Sequence, residues 1–351
     1  MRILFNAAPT HSGVGGGRIK LSKLKENLER MGHEADLFDQ WNTKIGEYDI
    51  YHHFSMFKWD YPIIRLCKLS GVPIAVETMY WSDWRYVLTA PLERSSSRVR
   101  LILHYMVKTF FPRISPQRAV LHMADVLISN SKAEAVRVGK HFAISQSKIR
   151  IAPNGFDERF AEGDPDLFIK EYGIKDFVLN VGGIGPQKNQ VKLIRALKGS
   201  KIPIVFIGAP SAVNPWYMRF FNSVADNDVH LIGPIDHDSP MLASAYAAAR
   251  VFALPSTWET TGKAALEAAA SGTRVVITDC EPTHEYFGEH ARYISPNNIK
   301  GLRESILESY EKSGKDMDLR DWVLSRYTWS QVMPQRLKIY QELKGQSVSP
   351  N

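Results

Sequence analysis

Short apolar runs, closed by Gly, Pro, Ser or Asn, recur along this chain in two successive sets of six, and segments with helical spacing lie between several of them. The first set is 2–6, 34–38, 48–54, 73–77, 125–130 and 148–153; the second is 176–181, 202–208, 229–233, 251–255, 274–278 and 292–295. Runs of this length between such breakers read as buried strands, and strands alternating with helices predict open, mostly parallel sheets of α/β class. A chain of 351 residues is too long for one ordinary domain and comfortable for two.

The most informative stretch is 255–276. Val251 to Leu254 reads as a strand ended by Pro255 and Ser256. Trp258 to Gly262 forms a turn with Thr260 or Thr261 placed to cap exposed amides. Lys263 to Ala270 has high helix propensity, and Ser271 and Gly272 stop it before the next strand. A helix N-terminus opening at the end of a parallel strand attracts anions such as phosphate. Glu259 and Glu267 bracket it, about 12 Å apart if the interval were helical throughout. That is roughly the length of a nucleoside diphosphate sugar. One carboxylate would accept from sugar hydroxyls and the other from ribose hydroxyls, with Gly262 letting the backbone approach the diphosphate. The plainer reading is a pair of solvated glutamates on an alanine-rich helix.

Two glycine loops follow first strands of their sets. In the loop over 7–18, Gly13 and Gly15 fit the opening of a dinucleotide fingerprint, but Arg18 stands where helix packing wants the third glycine, so a nicotinamide or flavin enzyme fits poorly. In the second loop Gly182 and Gly183 precede Lys188, a cation placed for phosphate contact. His52 and His53 are adjacent on one strand, face opposite ways and predict packing or cleft-edge roles rather than metal ligation. Asp236 and Asp238 form an Asp-Xaa-Asp pattern that recurs at 164, 226 and 316, so no catalytic metal is expected from it. Cys67 and Cys280 lack metal-ligand spacing and suggest a reducing compartment.

Glu259 to Glu267, with Gly262 between and Pro255-Ser256 before, resembles the two-glutamate signature of the family 4 (group 1) retaining glycosyltransferases. The turn at 151–157 is similar to the one that joins the two halves in that family. The resemblance is close over about 150–345 and loose before it. It implies the GT-B fold: two Rossmann-like domains facing a central cleft, the first formed by 1–157 with 330–351 and the second by 158–329, with a C-terminal helix crossing back to the first. Pro334 is expected in the first turn of that helix, and disorder is expected after Lys344.

By resemblance, Glu259 contacts the donor sugar, Glu267 the ribose, and Lys188 the diphosphate; Gly183 occupies a position where the family commonly has arginine. Thr260, Thr261, Gly262 and Lys263 complete the donor-binding set. On the acceptor side the resemblance points to Gly15 and Gly16, and to Glu77 or Tyr80, since Met79, Tyr80 and Trp81 stand where many members have a histidine. The implied reaction is hexosyl transfer from a nucleoside diphosphate sugar to an acceptor hydroxyl, by front-face displacement and without a metal cofactor. An epimerase of the same shape, or a catalytically silent sugar-nucleotide-binding subunit, remain alternatives.

Net charge is +7. Over 84–118, Arg85, Arg94, Arg98, Arg100, Lys108, Arg113 and Arg118 face a single acid, Glu93, and interleave with Leu101 to Leu103, Tyr105 to Val107, Phe110 and Phe111. Such a segment can lie on an anionic membrane, and a lipid-linked or cell-envelope glycan would then be the acceptor. A buried helix with a basic rim reads equally well. No nucleic-acid reader motif accompanies these cations. The opening residues run straight into a strand and no apolar run approaches a membrane span, which predicts a cytoplasmic address, peripheral on the inner membrane face if the basic segment docks.

Overall fold

A computed structural model describes residues 1–7, 16–54, 56, 60–81, 84–89, 95–111 and 116–346. The chain forms two compact units. Unit 1 comprises 1–82, 103–155 and 329–351; unit 2 comprises 83–102 and 156–328, so the second unit takes a segment near residue 90 that the sequence assigned to the first. At the crossover, the Phe156 amide donates to the Tyr327 carbonyl at 3.0 Å and pairs with Thr328.

Unit 1 holds strands β1 (Arg2–Ala7), β2 (Glu34–Leu37), β3 (Ile50–Phe54), β4 (Ile74–Glu77), β5 (Val126–Ser129) and β6 (Ile149–Ile151), all parallel, in the order β2-β1-β3-β4-β5-β6. The first six helices of the chain are α1 (Gly16–Arg30), α2 (Tyr61–Leu69), α3 (Trp84–Thr89), α4 (Ser95–Phe110), α5 (Pro116–Met123) and α6 (Lys132–Phe142). The 102/103 boundary runs within α4.

Besides α3 and the first part of α4, unit 2 holds α7 (Pro165–Tyr172) and builds β7 (Val178–Val181), β8 (Ile204–Ile207), β9 (Val229–Gly233), β10 (Val251–Leu254), β11 (Arg274–Thr278) and β12 (Arg292–Ile294) into a second parallel sheet, order β12-β11-β10-β7-β8-β9. Its remaining helices are α8 (Gln190–Leu197), α9 (Trp216–Val224), α10 (Pro240–Ala248), α11 (Lys263–Ala270), α12 (Glu281–Phe287), α13 (Ile299–Glu311) and α14 (Met317–Tyr327). Central strands covered on both faces favour unbroken apolar runs, and β10 is apolar and buried throughout, as is β4 up to the buried Glu77 that ends it. Helix starts follow capping chemistry: Ser131 Oγ accepts from the Glu134 amide, and Asp316 Oδ1 from the Leu319 amide, both at 3.1 Å.

The chain returns to unit 1 as α15 (Trp329–Gln346), whose Trp329, Val332, Met333 and Tyr340 join the core of β1 and β3. Pro334 lies inside this helix, not in its first turn as expected. Burial of Trp329 and Val332 extends the helix upstream of the proline. The helix also passes Lys344 by two residues, against the expected disorder there; the residues beyond 346 lie outside those described.

Glu77 closes β4 at the centre of a buried charge cluster. Arg336 of α15 donates to Glu77 Oε2 from one nitrogen at 2.7 Å and to Oε1 from the other at 3.4 Å. The Lys20 ammonium of α1 binds both Glu77 and Asn130, and His52 Nε2 lies 3.2 Å away. Burial alone would raise the Glu77 carboxyl, but the Arg336 and Lys20 charges outweigh it and hold it well below the usual range. Burial brings Lys20 down to about 8 and His52 to about 4, so at pH 7 the imidazole is neutral and the ammonium mostly charged. His52 Nδ1 meets the Tyr340 hydroxyl at 2.7 Å and His53 Nδ1 the Tyr51 hydroxyl at 3.0 Å, so both histidines pack within the sheet.

Candidate functional site

The site begins with two loops at the carboxyl ends of neighbouring strands β7 and β10. After β7, Gly182 adopts φ +145°, and the Lys188 side chain runs beside its α-carbon, where a Cβ would stand 3.5 Å from Lys188 Cε. The Lys188 and Asn189 amides both return to the Gly185 carbonyl, and the Gln190 side chain bridges the Gly183 carbonyl and the Gly185 amide. Gly183 itself is exposed.

Several hydrogen bonds fasten this loop to the one after β10. The Thr257 amide donates to the Gln187 carbonyl at 2.7 Å, Asn189 Nδ2 donates to the Pro255 carbonyl at 3.0 Å, and Thr257 Oγ1 adds a bond to Gln187 at 3.2 Å. Lys188 is thereby delivered to Glu259: its Nζ donates to Oε1 at 2.6 Å, and Ser256 Oγ donates to the same oxygen at 2.7 Å. Glu259 is buried while the Lys188 side chain is 24% exposed, so the cation forms the outer face of the pair.

Helix α11 opens at this point, but the cap differs from expectation. Neither Thr260 nor Thr261 is the N-cap; Gly262 is, at φ +79° and with no side-chain cap bond. A Cβ there would stand 2.8 Å from Ile277 Cδ1 of β11, so both backbone and packing demand glycine. The turn also means that the interval from Glu259 to Glu267 is not one continuous helix. Thr261 is buried and Thr260 half-buried beside the opening. Lys263 is the first residue of α11, four before Glu267.

Glu267 is the second buried carboxylate. His237 Nε2 lies 3.0 Å from its Oε1, and the Tyr246 hydroxyl of α10 donates to Oε2 at 2.7 Å. Burial opposes its ionisation, but the His237 bond, Lys263 and Tyr246 outweigh this and keep it below the usual carboxylate range. His237 and Tyr246 escaped the sequence reading. His237 sat inside an Asp-Xaa-Asp pattern that occurs four times in the chain, and its one signal was a histidine just past a strand end. Asp157, His237 and Asp238 bring ligand-type atoms within 4.8 Å of one another. The Arg159 guanidinium, 3.7 Å from each aspartate, already supplies positive charge there.

The acceptor-side residues are in unit 1 and are engaged otherwise. Glu77 is fully buried in its charge cluster. Tyr80 is buried, its hydroxyl 3.0 Å from His141 Nδ1 and its amide bonded to Glu134. Gly16 starts α1, and Gly15 falls outside the described residues.

In α4, Val99, Leu103, Met106, Val107 and Phe110 share one face of the helix and are all exposed, and Phe111 beyond them is 60% exposed. A buried apolar face was one of the two expectations, and this helix instead turns that stripe to solvent. No helix among the described residues is long and apolar enough to cross a membrane.

Residues 168–321 match the family model described as glycosyl transferases group 1. A D-inositol 3-phosphate glycosyltransferase of Stackebrandtia nassauensis is 30% identical over 185 residues, 47% of this chain and 41% of that protein, so the chain spans less than half the length of this relative. Among solved structures, the sucrose-phosphate synthase of Thermosynechococcus elongatus superposes with a TM-score of 0.76 at 17% identity, covering 99% of this chain and 100% of that one. Anabaena HepE in complex with UDP superposes at 0.70 and 18% identity, covering 98% and 100%. Residues 168–321 are therefore similar to the group 1 glycosyltransferases, and the chain that carries them has the GT-B fold.

Proposed function

We propose that the chain is a retaining hexosyltransferase that moves a sugar from a nucleoside diphosphate sugar to an acceptor hydroxyl. The observation that carries this reading is the Lys188–Glu259 pair, stitched by two loops beside the opening of α11. Lys188 and the first amides of α11 face the diphosphate and stabilise the charge that builds on it as the glycosidic bond breaks. Glu259 accepts from hydroxyls of the sugar and fixes its anomeric carbon. Glu267 accepts from the ribose. The acceptor hydroxyl attacks on the face the diphosphate leaves, and a diphosphate oxygen takes its proton. The diphosphate charge is met by Lys188 and backbone amides, and the reading draws on no metal.

A thermal-shift panel of UDP-, GDP- and ADP-sugars tests the donor class. A bound donor at 100 times its Kd adds about 2.7 kcal/mol, which moves a domain of this size by several degrees. One nucleotide series is expected to do so, and release of its diphosphate should then require an added acceptor. No response from any series would remove the reading, and sugar conversion without acceptor would favour an epimerase.

The acceptor is proposed to be lipid-linked, with α4 resting on an anionic membrane at its cytoplasmic face. Five exposed apolar residues on one helical face, within a segment whose seven cations face one acid, match the two attractions such a surface offers. Sedimentation with anionic vesicles at low salt is expected, reduced at least fivefold in Phe110→Ser/Phe111→Ser and absent with neutral vesicles. Equal binding to both vesicle types would contradict this.

A further inference from the structure

Both oxygens of Glu267 are engaged without any ligand, one with His237 and the other with Tyr246. On the far side of the imidazole, His237 Nδ1 lies 3.5 Å from the Arg159 guanidinium, which also donates to the His237 carbonyl. An ionised carboxylate only accepts, so the ring nitrogen that faces Glu267, Nε2, carries a proton and donates to it. The Asp238 and Asp157 carboxylates, 3.5 and 4.0 Å from Nδ1, are each 3.7 Å from Arg159, whose charge they share. Phe160 meets the ring edge-on at 5.4 Å and fixes its plane. Arg159, His237 and Glu267 thus form a line in which each group orients the next.

An ionised carboxylate offers about four lone-pair directions, and here two are taken, one on each oxygen. We propose that His237 is a positioning residue: with Tyr246 it holds Glu267 so that the two remaining directions accept from the 2′ and 3′ hydroxyls of the donor ribose, and it thereby sets the preference for ribonucleotides over 2′-deoxyribonucleotides. The inference rests on the donor-site reading above and adds residues which that reading did not use. A short carboxylate on a buried helix would otherwise be free to rotate, and its bonds to a diol would weaken. Tyr246 is fully buried, so its hydroxyl contributes orientation without competing for the ligand.

The test is calorimetric titration of UDP, GDP and ADP, and of the 2′-deoxy form of whichever binds, into the wild type, His237→Ala, His237→Gln and Tyr246→Phe. Loss of a bond to a charged group costs roughly tenfold or more in affinity. The wild type is expected to favour the ribonucleotide about tenfold. His237→Ala should lose most of that ratio, His237→Gln should keep a good part of it because its amide still donates to Oε1, and kcat at saturating donor should change less than about threefold. Should His237→Ala fail to fold, Tyr246→Phe carries the same comparison, with the same loss expected. A full ribose preference in the variant that folds, or a fall in kcat with donor affinity unchanged, would overturn the proposal while leaving the donor site standing. No binding of any diphosphate to the wild type would end both.

Discussion

Replacing Lys188 with alanine is expected to lower kcat/KM for sugar transfer by about 100-fold or more, with the fold intact. Removing one preorganised donor from a developing anion typically costs about 2.7–4 kcal/mol, and Lys188 carries a full charge. Its position leaves little room for a substitute. Asn189 and Gln187 anchor its loop to the one carrying Glu259, and the ammonium reaches the carboxylate at 2.6 Å. Glu259→Ala should lose a comparable factor, because the buried carboxylate is the acceptor fixed beside the helix opening. Each single variant also unmakes the pair. The double variant is therefore expected to lose less than the product of the two, since residues in direct contact are not additive. Initial rates with the donor identified by thermal shift, alongside circular dichroism, check this; wild-type turnover by both single variants would refute the roles.

Glu77→Gln is expected to destabilise unit 1 by about 3–5 kcal/mol, the usual loss when one partner of a buried ion pair is removed. The substitution leaves the fully buried Arg336 and the nearly buried Lys20 facing a neutral amide. Because Arg336 comes from α15, its loss should also loosen that helix from β3 and β4. Urea unfolding followed at a probe in unit 1 would measure this, and Glu77→Gln/Arg336→Met should regain part of the loss. The pH dependence follows from the sign of the shift. A carboxyl held lower in the folded than in the unfolded chain stabilises above its unfolded value, near 4.5, and that stabilisation is lost as pH falls through the folded value. The wild type should therefore weaken below pH 4.5 more steeply than Glu77→Gln.

The fold was written plainly in the chain, because parallel strands covered on both faces demand unbroken apolar runs and each run found here forms a strand. The alanine-rich helix at 263–270 and its Gly272 stop were equally legible. Long-range pairings were harder. Glu77 read as an acceptor-side residue because nothing near it announced Arg336, 259 positions away, which converts it into the anchor of a buried cluster. His237 was hidden by a recurring aspartate pattern, and its partner Glu267 is 30 positions downstream. The capping threonines were plausible locally. Gly262 took the cap because β11 leaves no space for a side chain at that turn. Pro334 failed as a boundary marker because tertiary burial of Trp329 and Val332 outweighed one missing amide.

The account stands on a diphosphate being held by Lys188 at the mouth of α11. Titrating the responsive nucleoside diphosphate into the wild type and Lys188→Ala at one ionic strength tests this most directly. The account predicts one saturable site in the wild type and at least tenfold weaker binding in the variant. Equal affinity in the two proteins, or no binding to either, would contradict it.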